Sequence, residues 1–151
     1  MTGPIAQPGT FPERLRAARA SGEVATLLGA VPFAAFLGIG VDCVDGVIEG
    51  TMAFAPHVVG NQSLPAIHGG AIATLLETTA IAAVLWEAEP EVLPRPVTLT
   101  FEYLRSARAA DVRASATIVR RGRRVCTVRA VAWQEDREKA VATASATLLL
   151  V

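Results

Sequence analysis

The sequence has few of the residues that bind nucleic acids or membranes. Its 151 residues carry a formal net charge of zero, and Lys139 is the single lysine. Aromatic residues make up 5% of the chain, so no basic surface with stacking aromatic side chains is predicted. No uninterrupted apolar run is long enough to span a bilayer. We therefore expect neither a nucleic acid nor a membrane as a partner.

Cysteine is also scarce. Cys43 and Cys126 lie far apart, with no cysteine or histidine at metal-ligand spacing, so no metal site is predicted. Residues 1–10 are rich in Gly and Pro and lack the basic and apolar regions of a secretory signal. We expect a flexible tail over residues 1–10, a single domain over residues 11–151, and a cytoplasmic location.

The sequence does contain a long apolar segment around one carboxylate. Glu77 is the only charged residue between His68 and Glu87. Apolar residues recur there at helical spacing, and the opposite side is also mostly Ala, Thr and Leu, which predicts a helix surrounded by protein. An ionisable group in such a helix must find partners, shift its pKa or face a polar cavity. Glu77 is therefore the first candidate catalytic residue.

Turn and strand patterns lie on both sides of this helix. Residues 11–28 predict one or two short helices with Gly22 as a weak point, and residues 31–38 predict an apolar hinge. Asp45-Gly46 predicts a hairpin between strands 40–45 and 47–54. An irregular stretch over residues 55–67 then leads to the long helix, which ends before Pro90.

Four further strands are predicted, over residues 97–104, 111–119, 125–133 and 141–150. We expect these four to form an antiparallel meander. The order of elements predicts an α+β fold, in which one curved antiparallel sheet wraps around one long central helix, with an N-terminal helical extension. Strands with apolar residues on both faces are hard to cover in a monomer, so we expect a homo-oligomer.

Several short motifs resemble one known family. His68-Gly69-Gly70 at the start of a helix, with an acid at Glu77, resembles the hotdog-fold thioesterases of the phenylacetic-acid-degradation type. The similarity runs from about residue 33 to the C-terminus, and its other parts are Phe36-Leu37-Gly38-Ile39, Asn61-Gln62, Tyr103-Leu104-Arg105 and Arg121-Gly122-Arg123. The resemblance implies a hotdog fold and hydrolysis of acyl-coenzyme A thioesters, with no metal or redox cofactor and with coenzyme A as part of the substrate. It also implies sites shared between subunits of a dimer or a dimer of dimers.

The resemblance also implies roles for individual residues. Gly69 and Gly70 would polarise the thioester carbonyl through backbone N–H groups that lack partners within the helix. Glu77 would attack the thioester or activate water. Gln62 is the preferred amide for positioning substrate or water, with Asn61 as the alternative.

Other polar residues are weaker candidates. His68 would order the loop or the substrate, and Thr78 and Thr79 could form hydrogen bonds near the acid. Some relatives carry a threonine one turn after the acid, where this chain has Ile81. Candidates for binding the coenzyme A phosphates are Arg105, Arg108, Arg120, Arg121, Arg123 and Arg124. An apolar acyl pocket is expected near Val58, Val59, Leu64 and the helix.

Each motif also has a purely structural interpretation. Glu77 could be a helix acid that reaches solvent, and His68 could be a structural histidine, as we expect for His57. The arginines of residues 120–124 also fit a solvated hairpin tip. Two other functions stay open: a non-catalytic acyl-CoA binding module, and a hydratase of the same fold, which would need an Asp/His pair that the sequence lacks.

Overall fold

The computed structural model describes residues 10–28, 31–90 and 92–151. The predicted tail, residues 1–10, lies outside the described residues except for Thr10. The N-terminal region forms the predicted helices, α1 (Phe11–Ser21) and α2 (Ala25–Leu28). Glu13 accepts a hydrogen bond from the Thr10 N–H, which lowers the pKa of Glu13, and α1 ends at Gly22 with a φ of 74°. The predicted hinge is a third helix, α3 (Pro32–Phe36).

A tight hairpin then begins the main sheet. Strand β1 (Ile39–Val44) pairs antiparallel with β2 (Val47–Met52). The connecting residues Asp45 and Gly46 have φ angles of 51° and 81°. Two successive residues in the left-handed region form the turn that matches the twist of a two-residue hairpin, so the prediction from Asp-Gly is confirmed.

The predicted irregular stretch contains a smaller hairpin. A short 3-10 helix (Pro56–Val58) precedes β3 (Val59–Asn61), which pairs with β4 (Ala66–Ile67). His68 then leads directly into the long helix α4 (Gly69–Ala88). This hairpin therefore fixes the backbone immediately before the helix.

The remaining strands are β5 (Arg95–Tyr103), β6 (Val112–Arg121), β7 (Val125–Trp133) and β8 (Ala142–Leu149). The sheet order is β1-β2-β6-β7-β8-β5, with antiparallel neighbours throughout. The predicted four-stranded meander is therefore wrong, because β5 pairs with β8 and β6 pairs with β2. Instead of reversing, the segment after β5 passes β8 and β7 to reach β6. Its first residues are bonded next to the start of β8, because the Leu104 and Arg105 N–H groups donate to the Val141 carbonyl.

Helix α4 packs on one face of this sheet, mainly against β2, β6 and β7. Small side chains let the two layers approach closely, because the inward positions of β8 and its neighbours are largely alanine. The closest approach is at Gly50, where a Cβ atom would collide with the Thr79 hydroxyl. The antiparallel sheet around one long central helix confirms the predicted α+β architecture and its hotdog fold.

Within the single chain, the helix is not covered on every side, whereas the sequence predicted a helix surrounded by protein. Nine residues of α4 are half-buried or exposed. Six of them recur at spacings of three and four residues and form one stripe, called here the open stripe: Gly70, Ala73, Thr74, Glu77, Thr78 and Ile81. Although α4 is long and apolar enough to cross a membrane, 56% of its most apolar window is buried inside the protein, as in a core helix.

Candidate active site

The first turn of α4 leaves one backbone donor free. The N–H groups of Ala71 and Ile72 both donate to the His68 carbonyl, at 2.9 and 3.3 Å. The Gly70 N–H donates to Nδ1 of the His68 side chain at 2.9 Å. Among the described residues, only the Gly69 N–H of this turn has no acceptor. It lies at the positive end of the helix dipole, where an oxyanion is stabilised.

The two predicted oxyanion donors, Gly69 and Gly70, therefore differ in whether their N–H groups are free. Gly69 keeps the predicted property of an unpaired donor. Gly70 does not, because its N–H is occupied by the histidine ring, so its prediction as a donor to the substrate is corrected. A ring that accepts at Nδ1 and is neutral carries its proton on Nε2. His68 is thus the N-cap of α4, and its Nε2–H has no acceptor among the described residues.

His68 is held against the small hairpin that precedes it. Its backbone N–H donates to the Val58 carbonyl at 2.8 Å. A Cβ atom added at Gly60 would lie 2.9 Å from the Cα, Cβ and Cδ2 atoms of His68, so any larger residue would displace the histidine. Gly60 therefore provides the space in which His68 caps the helix.

A tyrosine holds the other side of the same turn. The Tyr103 hydroxyl donates to the Gly69 carbonyl at 3.0 Å. A Cβ atom at Gly69 would lie 3.1–3.3 Å from three atoms of the Tyr103 side chain, so the phenol packs against the glycine. The two residues are 34 positions apart, and no sequence pattern connects them. In the sequence, Tyr103 stands out only as part of the family resemblance, and its contact with Gly69 was not predicted.

A cavity of about 390 Å³ lies beside Gly69. Its lining is part polar and part apolar and comes from the helix start and the segment after β5, namely Ile67, Gly69, Ile72, Tyr103, Leu104, Arg105, Ser106 and Ala107. Gln134 fixes this segment through hydrogen bonds with the N–H and carbonyl of Arg108 and the carbonyl of Ala110. The predicted acyl-pocket residues Val58, Val59 and Leu64 do not line this cavity.

Glu77 lies on the open stripe with its carboxylate half-buried. Loss of solvent raises the pKa of Glu77 above its usual value. No group in the described part of the chain forms a hydrogen bond or ion pair with it. A desolvated carboxylate that no structural partner accounts for fits the properties of a general base or nucleophile.

The two threonines after Glu77 have different surroundings. Thr79 is fully buried, and its hydroxyl donates to the Leu75 carbonyl at 2.7 Å. Since Gly50 packs directly on this hydroxyl, the structure corrects Thr79 from a substrate-binding candidate to a packing residue. Thr78 lies on the open stripe beside Glu77 and remains a candidate.

The candidate amides lie near the tip of the β3–β4 hairpin. The Asn61 side-chain oxygen accepts from the N–H groups of Ser63 and Leu64, at 3.0 and 3.4 Å, and so builds the turn. Gln62 is exposed, and its amide forms no hydrogen bond with any described residue. This difference favours Gln62 as the amide that is free to bind a ligand.

The candidate arginines fall into two groups. Arg105 lines the cavity beside Gly69, and its guanidinium donates to the Ala140 carbonyl at 2.8 Å. Arg121 donates to the carbonyl of Ala88, at the opposite end of α4, at 2.6 Å. Arg121 is exposed, as a hairpin-tip residue is expected to be, but its guanidinium also caps the helix C-terminus.

The other candidate arginines are also exposed. Arg108 forms a surface ion pair with Glu135 at 3.0 Å. Arg120, Arg123 and Arg124 project from the β6–β7 hairpin, which starts near the C-terminal end of α4. His57 is a structural histidine, as predicted, because its Nε2 lies 2.7 Å from the Phe36 carbonyl oxygen.

The chain matches one family model and several solved structures. The family model described as the acyl-CoA thioesterase N-terminal domain matches residues 57–149, which is more than half of the chain. The match includes His68, both glycines and Glu77. A search of curated proteins found no match.

Solved structures share the fold over nearly the whole chain. A protein from Chromobacterium violaceum is 30% identical, with a TM-score of 0.74, covering 92% of this chain and 97% of its own. A phenylacetic acid degradation-related protein of Ralstonia eutropha, described as a candidate thioesterase, is 27% identical, with a TM-score of 0.73 and coverages of 87% and 98%. A Bacillus halodurans protein, whose structure was solved with CoA, is 21% identical, with a TM-score of 0.73 and coverages of 97% and 97%.

Proposed function

Because the chain belongs to the acyl-CoA thioesterase family, we propose that it hydrolyses an acyl-coenzyme A thioester to a free acid and coenzyme A. The observation that carries this proposal is the unpaired Gly69 N–H at the positive end of α4, together with the desolvated Glu77 on the open stripe. Coenzyme A is part of the substrate, and the proposed reaction needs no metal or redox cofactor.

The proposed chemistry uses these two groups in turn. The Gly69 N–H donates to the thioester oxygen as negative charge develops on it. The Glu77 carboxylate either removes a proton from the attacking water or itself attacks the carbonyl carbon to form an anhydride that water then hydrolyses. In both routes the bond between the carbonyl carbon and sulfur breaks, and the coenzyme A thiolate takes up a proton.

Two subunits are needed to bring these groups to one thioester. Gly69 and Glu77 are eight residues apart on one helix, so their Cα atoms are separated by about 12 Å along the axis. Catalytic contacts to a single carbonyl group are each about 3 Å long. If two copies of α4 pack antiparallel along their open stripes, with the two-fold axis near residues 73–74, Glu77 of each lies beside Gly69 and Gly70 of the other.

The edge of the sheet supports a second copy as the partner. Strand β5 is nine residues long and is the last strand of the sheet, bonded to β8 on one side. Nothing in the described chain pairs with its other side, and Val97 on it is 63% exposed. A long strand edge with unpaired backbone groups promotes self-association. We propose that β5 pairs with its symmetry mate, giving a homodimer that can assemble further into a dimer of dimers.

Exposed arginines are proposed to bind the phosphates of coenzyme A. Arg123 and Arg124 lie on the hairpin whose Arg121 caps α4 at Ala88. Ala88 is eleven residues beyond Glu77, or about 16 Å along the helix, so these phosphate ligands would lie well away from the reacting carbon. The fold neighbour solved with CoA agrees with this class of ligand. A cytoplasmic location, where acyl-CoA is available, is part of the proposal.

Release of free thiol from a panel of aryl, short-chain and long-chain acyl-CoAs tests the function. The wild type should release thiol from at least one of them, and Glu77→Gln should lower kcat by about 10²- to 10⁴-fold. Equal rates in both proteins would mean that Glu77 is not the catalytic carboxylate. Tight acyl-CoA binding by calorimetry with no thiol release from any substrate would instead show the non-catalytic binding module.

A further inference from the structure

The peptide unit between Gly69 and Gly70 is held at both ends by side chains. Its carbonyl oxygen, which belongs to Gly69, accepts from the Tyr103 hydroxyl at 3.0 Å. Its N–H, which belongs to Gly70, donates to His68 Nδ1 at 2.9 Å. One peptide plane is thus fixed by two side chains, one of them 34 residues away in sequence.

We propose that Tyr103 is a positioning residue that orients the Gly69–Gly70 peptide, and through it the Gly69 N–H and the His68 ring, for catalysis. This inference rests on the proposed thioesterase function. A glycine pair has wide backbone freedom, so an external contact adds to the helical hydrogen bonds in keeping the first turn of α4 in one orientation. The phenol supplies that contact, because it packs against Gly69 and also donates to its carbonyl oxygen.

The hydrogen bonds also run in one direction. The Tyr103 O–H donates to the carbonyl oxygen, which makes the N–H of the same peptide a better donor to His68. Because Nδ1 accepts, the neutral ring has its proton on Nε2. Tyr103 therefore helps to keep His68 in one tautomer and leaves its Nε2–H as a donor. Tyr103 also lines the cavity beside Gly69, so a substrate there would lie against the residue that orients the peptide.

The decisive variant is Tyr103→Phe, which keeps the ring against Gly69 and removes only the hydroxyl. We expect kcat to fall about tenfold while KM changes less than about twofold, because a misoriented donor weakens transition-state binding more than substrate binding. Tyr103→Leu, which also removes the ring, should lower kcat further. Equal kcat in the wild type and Tyr103→Phe would overturn the proposal, as would an effect on KM alone.

A second measurement separates this inference from the proposed function. The exchange of the Gly70 amide hydrogen, followed by NMR, should be about tenfold faster in Tyr103→Phe, because its bond to His68 becomes less well held. This readout requires no turnover. Unchanged exchange would refute the positioning role even if the enzyme is an active thioesterase. Faster exchange in a protein that cleaves no acyl-CoA would leave the positioning of the peptide intact and refute its catalytic purpose.

Discussion

The two ends of α4 are built in opposite ways. At the C-terminal end, the Arg121 guanidinium binds the Ala88 carbonyl, and Glu89 forms an ion pair with Arg19 at 2.8 Å. At the N-terminal end, the Gly69 N–H has no acceptor in the described chain, and a cavity lies beside it. Cations neutralise the negative end of the dipole, whereas the positive end stays available for an anion.

Because of this difference, we expect the C-terminal end of α4 to matter mainly for stability and the N-terminal end mainly for activity. A paired backbone group at a helix terminus contributes to the free energy of folding, whereas an unpaired donor forgoes that contribution. We therefore expect substitutions near Gly69 to affect mainly turnover. Substitutions near Ala88 should affect mainly the free energy of unfolding.

The strongest test of the N-terminal end of α4, called here the open end, removes its free donor. Gly69 is the first residue of α4, a position where proline fits because its missing N–H has no partner within the helix. Gly69→Pro should therefore keep the helix and lower kcat about 10²- to 10³-fold relative to Gly69→Ala, which adds a Cβ atom but retains the N–H. Steady-state thiol-release kinetics give both values. Similar rates for the two variants would show that another group binds the oxyanion.

A mixing experiment tests whether the open end works with a partner helix. Glu77→Gln and Gly69→Pro should each be nearly inactive alone. If the site combines Gly69 of one subunit with Glu77 of the other, exchanged heterodimers contain one intact site and recover up to about a quarter of wild-type activity. Thiol release is measured after the two variants are mixed, unfolded and refolded together. A site within one chain would give no recovery, since each chain would still carry its own defect.

The C-terminal end of α4, called here the closed end, should respond in the opposite way, with a change in stability and little change in activity. Arg121→Met removes the charged donor to the Ala88 carbonyl and should lower the free energy of unfolding by about 1–2 kcal/mol, with kcat changed less than about twofold. Arg120→Met, at the neighbouring exposed position, is the matched control and should stay within about 0.5 kcal/mol of the wild type. Chemical denaturation measures both. A large loss of kcat in Arg121→Met would contradict the division of roles between the two ends.

The smallest expected effect is the pH dependence of stability that comes from Glu77, which lies between the two ends of α4. Burial raises the pKa of Glu77, so the folded protein binds this proton more tightly than the unfolded chain. The stabilisation that comes from this tighter proton binding is fully present below the pKa of Glu77 in the unfolded chain, and it is lost as pH rises through the pKa of Glu77 in the folded protein. The free energy of unfolding of the wild type should therefore fall with rising pH across that window, relative to Glu77→Gln.

Activity should change in the opposite direction over the same window, because catalysis uses the ionised carboxylate. Denaturation curves of both proteins and the pH profile of kcat/KM of the wild type test this pair of trends. A wild type whose stability follows that of Glu77→Gln at every pH would mean that burial does not perturb the carboxyl group.

Local patterns predicted most of the secondary structure. The Asp45-Gly46 hairpin and the start of α4 depend on neighbouring residues, and both are confirmed. The pairing of β5 with β8 was not predicted, because it depends on where an eight-residue connection crosses the sheet. The exposure of the open stripe was missed for a similar reason, since alanines and threonines carry no periodic signal that distinguishes a covered face from an open one.

The site was predicted in part. The motif and its spacing predicted that His68, Gly69 and Glu77 lie at the start of one helix and along it. The hydrogen bond from the Gly70 N–H to His68 could be found only from atomic positions. Thr79 looked equivalent to Thr78 in sequence, and only the approach of β2 at Gly50 separates them. The Tyr103 contact joins two distant segments, and Arg121 could not be assigned to a helix end before the strand order was known.

The position of Tyr103 also makes the protein convenient to observe. It is the only tyrosine in the sequence, and its hydroxyl bonds to the residue that carries the free donor. Incorporation of a fluorinated tyrosine would therefore place a single ¹⁹F nucleus in contact with Gly69. Its spectrum would contain one resonance that needs no assignment, and a shift on addition of coenzyme A or an acyl-CoA analogue would report occupancy of the neighbouring cavity directly.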